Sequence, residues 1–391
     1  MRSSWAKRAR TGHERTASLN VVFQLSAGKG GPCQRARVFS AFEETPPFAD
    51  KCVRATPASL TISCPDFHLA MTVAVRSFAK INLGLYIGPR RADGFHDLRT
   101  VYQTIALHDL IRVSVTRGSG IEIVCSDPRV PLDSSNTCYR ITERVMVALK
   151  ARGHVTIAIE KRLPVQGGLG AASSNAVATM LGLQQALKKT LSTPQQLEIA
   201  AAVGSDLPLF LVGGTVLGVG RGEEVFPLPE LQATATVVVT PDVGVSTPRA
   251  FADWDARSEL TRPDGSDRLS EVCRALSAWL RGNSHAGAPA KVGGRDGNPP
   301  SDLVRTGIEN DFEKVVFSQY PELRDMKRAL ERAGSKYASL SGSGSTLYGL
   351  FESAEKAATA VSRLRKQGMK AIATRTLTRR EYWRRSFAAG R

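Results

Sequence analysis

The sequence predicts an α+β protein of two domains, and three observations carry that prediction. Its 391 residues suit two domains of ordinary size. From Met71 to Thr376, stretches with an apolar period of two interleave with stretches of period 3.6. A Gly- and Pro-rich break across 281–306 (Gly282, Gly287, Pro289, Gly293, Gly294, Gly297, Pro299, Pro300) interrupts the second half as a flexible insertion. Apolar residues at 42% and charged residues at 23% exclude a wholly disordered chain. No run of eighteen apolar residues occurs, so no membrane-spanning helix is expected. Six cysteines without a CxxC pair argue against a disulfide scaffold or a zinc ribbon, and for a reduced, cytoplasmic setting.

Residues 1–70 show neither period convincingly. Only Val21 to Leu25 reads as a short strand, and Gly28-Lys29-Gly30-Gly31-Pro32 and Pro46-Pro47 break the rest. The first forty residues are Arg-rich with one acid, Glu14, which superficially resembles an organelle transit peptide, and no apolar h-region marks a secretory signal. The expectation is a disordered extension or a mis-assigned start, with Met71 as the working start.

From Met71 the pattern sharpens. Val73, Val75, Phe78, Ile81, Leu83, Leu85 and Ile87 predict an extended first segment. Ile111, Val113 and Val115 alternate, as do Ile121 and Ile123 after Gly118-Ser119-Gly120, which reads as a hairpin. Asn136 is the expected N-cap of a helix with Ile141, Val145 and Leu149 on one face. Val155, Ile157 and Ile159 form another strand, ending at Pro164. A Gly-rich loop and a helix from about Ser173 to Leu187 follow. A second α+β unit begins near 235–245. It holds helices over Asp311–Gln319 and Pro321–Ala333, a strand–turn–strand over Tyr337–Phe351, a helix over Ala354–Gln367 and a strand over Ala371–Thr376. The expected domains are therefore 71–235 and 236–378, with a basic tail, 379–391, read as a solvated helix end.

The formal charge of +17 raises the question of nucleic acid. Residues 1–70 contribute +5 and residues 362–391 contribute +9, while 71–361 hold 33 basic against 30 acidic side chains. The excess sits at the ends and the body is nearly neutral, so no nucleic-acid partner is expected.

Five short segments carry candidate chemistry. Leu163 to Asn175 runs from a strand end through Gly167, Gly168 and Gly170 into a helix start. Glycines there let backbone approach a ligand, and free N–H groups with the helix dipole favour a phosphate; a tight turn with an N-cap at Ser173 is the alternative. No Gly-Lys-Ser/Thr follows, which excludes a Walker A loop. Asp206, beside Leu207 and Pro208, either accepts a hydroxyl proton in a poorly hydrated pocket or caps the next element. Lys80, in an apolar strand, needs a partner such as Asp206 or must snorkel to the sheet edge, and Asn82 shares its strand face. Gly94-Phe95-His96 either stacks on and hydrogen-bonds a base or is an ordinary hairpin with a surface histidine. Ser341-Gly342-Ser343-Gly344-Ser345-Thr346 is either an anion-tolerant loop or a flexible connection.

Together and in this order, these segments resemble the GHMP kinase superfamily. Ala79-Lys80-Ile81-Asn82-Leu83 matches its first motif, Pro164 to Asn175 its central motif and Ser341 to Thr346 its third. Arg91 to Leu98, Gly204 to Phe210, Gly213-Gly214, Gly220-Arg221-Gly222-Glu223 and Thr247-Pro248-Arg249-Ala250-Phe251 resemble the branch whose substrate is a diphosphocytidyl-methylerythritol, rather than the homoserine or mevalonate branches. An RNA-binding role is a more distant alternative, because the first domain of this superfamily resembles one found in ribosomal proteins.

The resemblance implies a first domain like ribosomal protein S5 domain 2, a second α/β-sandwich domain, and ligands in the cleft between them. It implies Asp206 as general base towards a 2-hydroxyl, with Lys80 beside it. Phe95 and Phe251 would sandwich cytosine, His96 would bond its edge, and Asn82 and Thr247 would touch the substrate. Pro164, Gln166, Gly167, Gly168, Leu169, Gly170, Ala171, Ala172, Ser173 and Ser174 would hold ATP, with Mg2+ bridging its phosphates and Ser174 as its ligand. Oligomeric state is not implied. Gln166, Ala171 and Ala172 stand where the family usually has glycine, Phe95 where tyrosine is common and Ser345 where proline is usual. Alanine fits such positions where φ is negative.

Overall fold

The computed structural model describes residues 71–230, 232–260 and 308–387. The expected insertion, most of it in 281–306, and the expected extension, 1–70, lie outside the described residues.

Two strands of unusual length organise the first sheet: β1 (Val73–Arg90) and β2 (His96–Thr116). They form an antiparallel ribbon from Val73↔Val113 to Arg90↔His96, with register shifts between Phe78 and Lys80, Asn82 and Gly84, and Ile87 and Arg90. Between the first two shifts the alternation is undisturbed, so Lys80 and Asn82 share one face. The other edge of β2 takes β4 (His154–Glu160) along 110–116 and β5 (Thr215–Val219) along 100–103, and β6 (Glu224–Pro227) closes the sheet beyond β5.

The expected hairpin between 111–115 and 121–123 is corrected. β3 (Gly120–Cys125) pairs parallel with β4, which lies between it and β2. Val155, Ile157 and Ile159 are buried on β4, and such a strand gains more from a central place than the half-exposed β3.

Four helices follow from the first sheet's sequence. In α1 (Thr137–Ala148) the expected cap is present, with Asn136 Oδ1 accepting from Cys138 N at 2.9 Å. Next come α2 (Ala171–Leu187), α3 (Thr193–Val203) and the short α4 (Leu207–Val212). Ile141, Val145, Met180, Leu183 and Phe210 from these helices join Val113, Ile157 and Val216 from the sheet in one core.

The second sheet has the order β10-β7-β9-β8, formed by β7 (Ala235–Val239), β8 (Tyr337–Leu340), β9 (Leu347–Phe351) and β10 (Ala371–Arg375), all antiparallel. The helices α5 (Thr247–Leu260), α6 (Glu313–Gln319), α7 (Pro321–Arg332) and α8 (Ala354–Lys366) belong to this half. A third apolar cluster joins the sheets: Ala79, Ile81, Leu83 and Ile105 meet Val238, Tyr348 and Leu350. Tyr348 is fully buried and its hydroxyl donates to Asn82 O at 2.8 Å. β1 therefore supplies residues to both halves, and Leu85 and Ile87 sit in the second core.

The expected solvated tail is also corrected up to Ser386. Arg379–Ser386 form a helix, α9, started by a capping box of Thr378 and Glu381. Tyr382 is buried against Phe78, its hydroxyl donates to Phe210 O at 2.6 Å, and Trp383 Nε1 donates to Val212 O at 3.1 Å. The basic side chains that suggest a solvated segment occupy only its outer face. Gly213, at φ 71°, is required here: a Cβ would lie 2.4 Å from the Tyr382 ring.

Candidate active site

A cleft of about 970 Å³ opens between the two halves, at the upper end of the range usual for small-molecule sites. β1 and β2 form its floor, the loop before α2 one wall, and the start of α5 with Gly342 and Ser343 the other.

On the floor, Lys80 is 4% exposed. Its ammonium lies 3.2 Å from Asp206 Oδ2, donates to Asn82 Oδ1 at 2.7 Å, and sits 5.4 Å from the centre of the Tyr102 ring. Pairing, and not snorkelling, meets the cost of burying this cation. Asp206 occupies the N-cap position of α4 but makes no side-chain cap bond, so the capping alternative does not hold. Its carboxylate turns inward, where Oδ1 accepts from the Tyr102 hydroxyl at 2.9 Å. Burial and the Asp206 charge push the Tyr102 phenol well above its usual range, which keeps it a proton donor to the carboxylate. Asn82 is fixed in turn, its amide donating to Thr100 Oγ1 at 2.8 Å.

The wall before α2 fits a phosphate in shape and polarity. Gly168 (φ 74°) and Gly170 (φ 67°) adopt left-handed backbone, and a Cβ on Gly168 would fall 2.1 Å from Ser341 O. The third Gly-rich segment clasps this loop: Ser341 Oγ donates to Gly168 O at 2.9 Å and Thr346 N to Gly167 O at 3.2 Å. Gly170 caps α2, which corrects the expected N-cap at Ser173. The first N–H groups of α2, at Ala171, Ala172 and Ser173, thus lack helical acceptors and border the cleft. Ala171 and Ala172 are helical, so their methyl groups cause no backbone strain. Gln166 does carry strain, at φ 59°.

The expectation for Ser174 is corrected as well. It is 2% exposed and absent from the cleft lining; its hydroxyl donates to Phe78 O at 2.7 Å and accepts from Ser77 Oγ at 2.6 Å. One residue beyond Ser173 on a helix turns the side chain by about 100°, into the core. Among the described residues, no group of three or more His, Cys, Asp or Glu side chains is placed to hold a metal.

At the far end, the ring of Phe251 lies parallel to His96, with centroids 5.3 Å apart, and meets Phe312 edge-on. His96 is 7% exposed: Nδ1 donates to Gly88 O at 3.0 Å, and Nε2 lies 2.9 Å from Asp255 Oδ1. Phe95 borders the same cavity, half exposed, beneath the Arg221 guanidinium at 5.1 Å. Thr247, at the start of α5, shares a 2.7 Å hydroxyl contact with Ser343.

Tyr102, Asp255, Arg221 and Asp109 escape a reading of the sequence. Asp109 is fully buried and accepts from Lys161 Nζ at 2.6 Å, from the backbone of Arg162 and Leu163 at 2.7 Å, and from Asn175 at 3.1 Å, which ties the chain entering the glycine loop to α2. Its one legible signal was a charge in the apolar run Ile105 to Val115. Tyr102 and Asp255 carried none, because their partners lie 104 and 159 residues away.

The comparisons agree with this geometry. The GHMP kinases N-terminal domain profile matches residues 136–214, and the GHMP kinases C-terminal profile matches 295–370. A 4-diphosphocytidyl-2-C-methyl-D-erythritol kinase of Solibacter usitatus is 39% identical over 71% of this chain and 80% of its own length. One from Moorella thermoacetica is 36% identical over 77% of this chain and 98% of its own. The chain belongs to the 4-diphosphocytidyl-2-C-methyl-D-erythritol kinase family of GHMP kinases. A crystal structure of a 4-(cytidine 5'-diphospho)-2C-methyl-D-erythritol kinase superposes with a TM-score of 0.60 at 29% identity, covering 78% of this chain and 98% of that one. Homoserine kinase from Cytophaga hutchinsonii superposes equally well, at 0.61, but at 20% identity it speaks for the fold alone. The α+β, two-sheet GHMP kinase fold expected from the sequence is the observed one.

Proposed function

We propose that this protein transfers the γ-phosphoryl group of ATP to the 2-hydroxyl of 4-diphosphocytidyl-2-C-methyl-D-erythritol, a step in the non-mevalonate route to isoprenoid precursors. The observation that carries the mechanism is the Lys80–Asp206 pair, 3.2 Å apart on the floor of a cleft that also borders the glycine loop and the aromatic end.

Asp206 is the general base. It takes the proton of the 2-hydroxyl as that oxygen bonds to the γ-phosphorus and the bond to the β–γ bridging oxygen breaks, leaving ADP. Lys80 keeps Asp206 anionic and offsets charge on the phosphoryl group in flight. The loop from Pro164 to Ser173 holds the ATP phosphates through backbone N–H groups and the α2 dipole. Mg2+, when bound with ATP, neutralises and orients those phosphates; Ser174 is not in position to ligate it. Phe95 and Phe251 supply apolar faces for the cytosine, His96 reads its edge, and Asn82 and Thr247 contact the substrate. Catalysis on this reading is positioning and charge neutralisation, which suits phosphoryl transfer. A reduced, cytoplasmic setting is supported by the free Cys125 and Cys138, and no described helix is long and apolar enough to cross a membrane.

The test is ADP release by the purified chain with ATP, Mg2+ and the cytidyl substrate, with homoserine and mevalonate as controls. Turnover of the cytidyl substrate alone is the expected result. Turnover of a control instead would keep the kinase and overturn the base-binding assignments.

A further inference from the structure

His96 and Asp255 present an arrangement that the reaction itself does not call for. Asp255 lies one helical turn beyond Phe251 on α5, so the two side chains share a face of that helix. Its Oδ1 lies 2.9 Å from His96 Nε2, and the carboxylate borders the cleft with its side chain 36% exposed. The second oxygen, Oδ2, has no hydrogen-bond partner among the described residues. On the other side of the imidazole, Nδ1 donates to Gly88 O, which can only accept. The ring is therefore held from behind, with Nε2–H directed towards the carboxylate. The result, beside the aromatic face of Phe251, is an N–H donor next to a carboxylate acceptor.

That pair of groups is complementary to one pyrimidine edge and not to the other. Cytosine offers an acceptor at N3 beside the donor N4–H2, and aspartate accepts readily from that amine. Uracil reverses both positions: its O4 would face the carboxylate and its N3–H would face the His96 N–H. Two unmatched polar contacts in a half-buried site exclude a ligand more strongly than one lost contact.

We propose that Asp255 is the specificity-determining residue of this site: its carboxylate accepts the exocyclic amine of cytosine while His96 donates to N3, and together they reject uracil. The inference rests on the cytidyl reading of the cleft and names the group that enforces it.

The test is calorimetric titration of CDP and of UDP into the full chain saturated with a non-hydrolysable ATP analogue, which keeps both probes out of the ATP site. Wild type should prefer CDP by about tenfold or more, the discrimination that a well-placed pair of base contacts gives. Asp255→Asn, whose amide can donate to uracil O4, should bring the two affinities to within about threefold, and Asp255→Glu should keep the preference for CDP. Because the side chain is partly exposed, all three proteins should unfold at nearly the same temperature. If Asp255→Asn weakens CDP and UDP equally, the residue only positions His96 and the proposal fails. A wild type that binds CDP and UDP alike while turning over the cytidyl substrate overturns the proposal and leaves the kinase assignment standing. A wild type that binds neither and turns over no cytidyl substrate overturns both.

Discussion

The Tyr102 hydroxyl donates to Asp206 Oδ1 at 2.9 Å while the Lys80 ammonium faces Oδ2 at 3.2 Å, so the carboxylate is gripped at both oxygens before any ligand arrives. The grip spans separate elements: β1 for Lys80, β2 for Tyr102 and the start of α4 for Asp206. A base held in this way loses little orientational freedom on reaching the transition state.

Replacing the base itself is the most direct check. Asp206→Asn should lower kcat by about a hundredfold or more, the usual scale of a general base, while ATP affinity changes little. Steady-state kinetics with a separate ATP-binding measurement decides it, and near wild-type turnover would remove Asp206 from its role.

Tyr102→Phe should act through Asp206 and not on the ligands. Loss of one donor to a charged group should cost about 1.5–3 kcal/mol of orientation, seen as roughly a tenfold to hundredfold fall in kcat with KM for ATP unchanged. A rise in KM for ATP with kcat intact would contradict this.

Gly168→Ala should fail on two counts, because the backbone is left-handed and the added methyl group would meet Ser341 O. The loop would have to part from the third Gly-rich segment. The expected effect is a loss of about 2–4 kcal/mol in stability and a raised KM for ATP, measured by denaturant unfolding and kinetics.

Glu381 ties α9 to β10: its carboxylate accepts two bonds from Arg375 and bonds back to Thr378, and these hold it down to about 2 from its ordinary value. A depressed folded value stabilises the protein above the unfolded value, near 4.5, and that contribution is lost as pH falls towards 2. Glu381→Gln should therefore unfold more easily at pH 7, by about 2–3 kcal/mol, with the gap to wild type closing between pH 4.5 and 2. A gap unchanged across that window would mean that the pair contributes nothing.

The sequence made legible what depends on short range. The Asn136 cap, the alternation in β4 and the glycines before α2 are local signals, and the structure carries each of them. What stayed hidden depends on partners far along the chain. Nothing near Gly120 reveals that β4 will slide between β2 and β3, and nothing near Ser174 shows that its hydroxyl will be taken by Phe78 O. The side chains proposed for the chemistry were found through order and spacing, whereas Tyr102 and Asp255, which hold two of them in place, became visible only once the fold had gathered them. Arginines on α9 gave the misleading signal of a loose end, because the residues that dock it, Tyr382 and Trp383, are only two among many charges.

The docking of α9 also has a consequence for the timing of biosynthesis. Chains are made from the N-terminus, and domains tend to fold in that order. The half that holds Lys80, Tyr102 and Asp206 is synthesised first, yet the helix that carries Phe210 and follows Asp206 receives its hydrogen bonds from Tyr382 and Trp383, which come almost last. The earlier half must wait, one face uncovered, while the whole of the second sheet is translated. A chain released before Tyr382 would lack the support of α4, so only a chain translated past this point gains a fully braced catalytic centre.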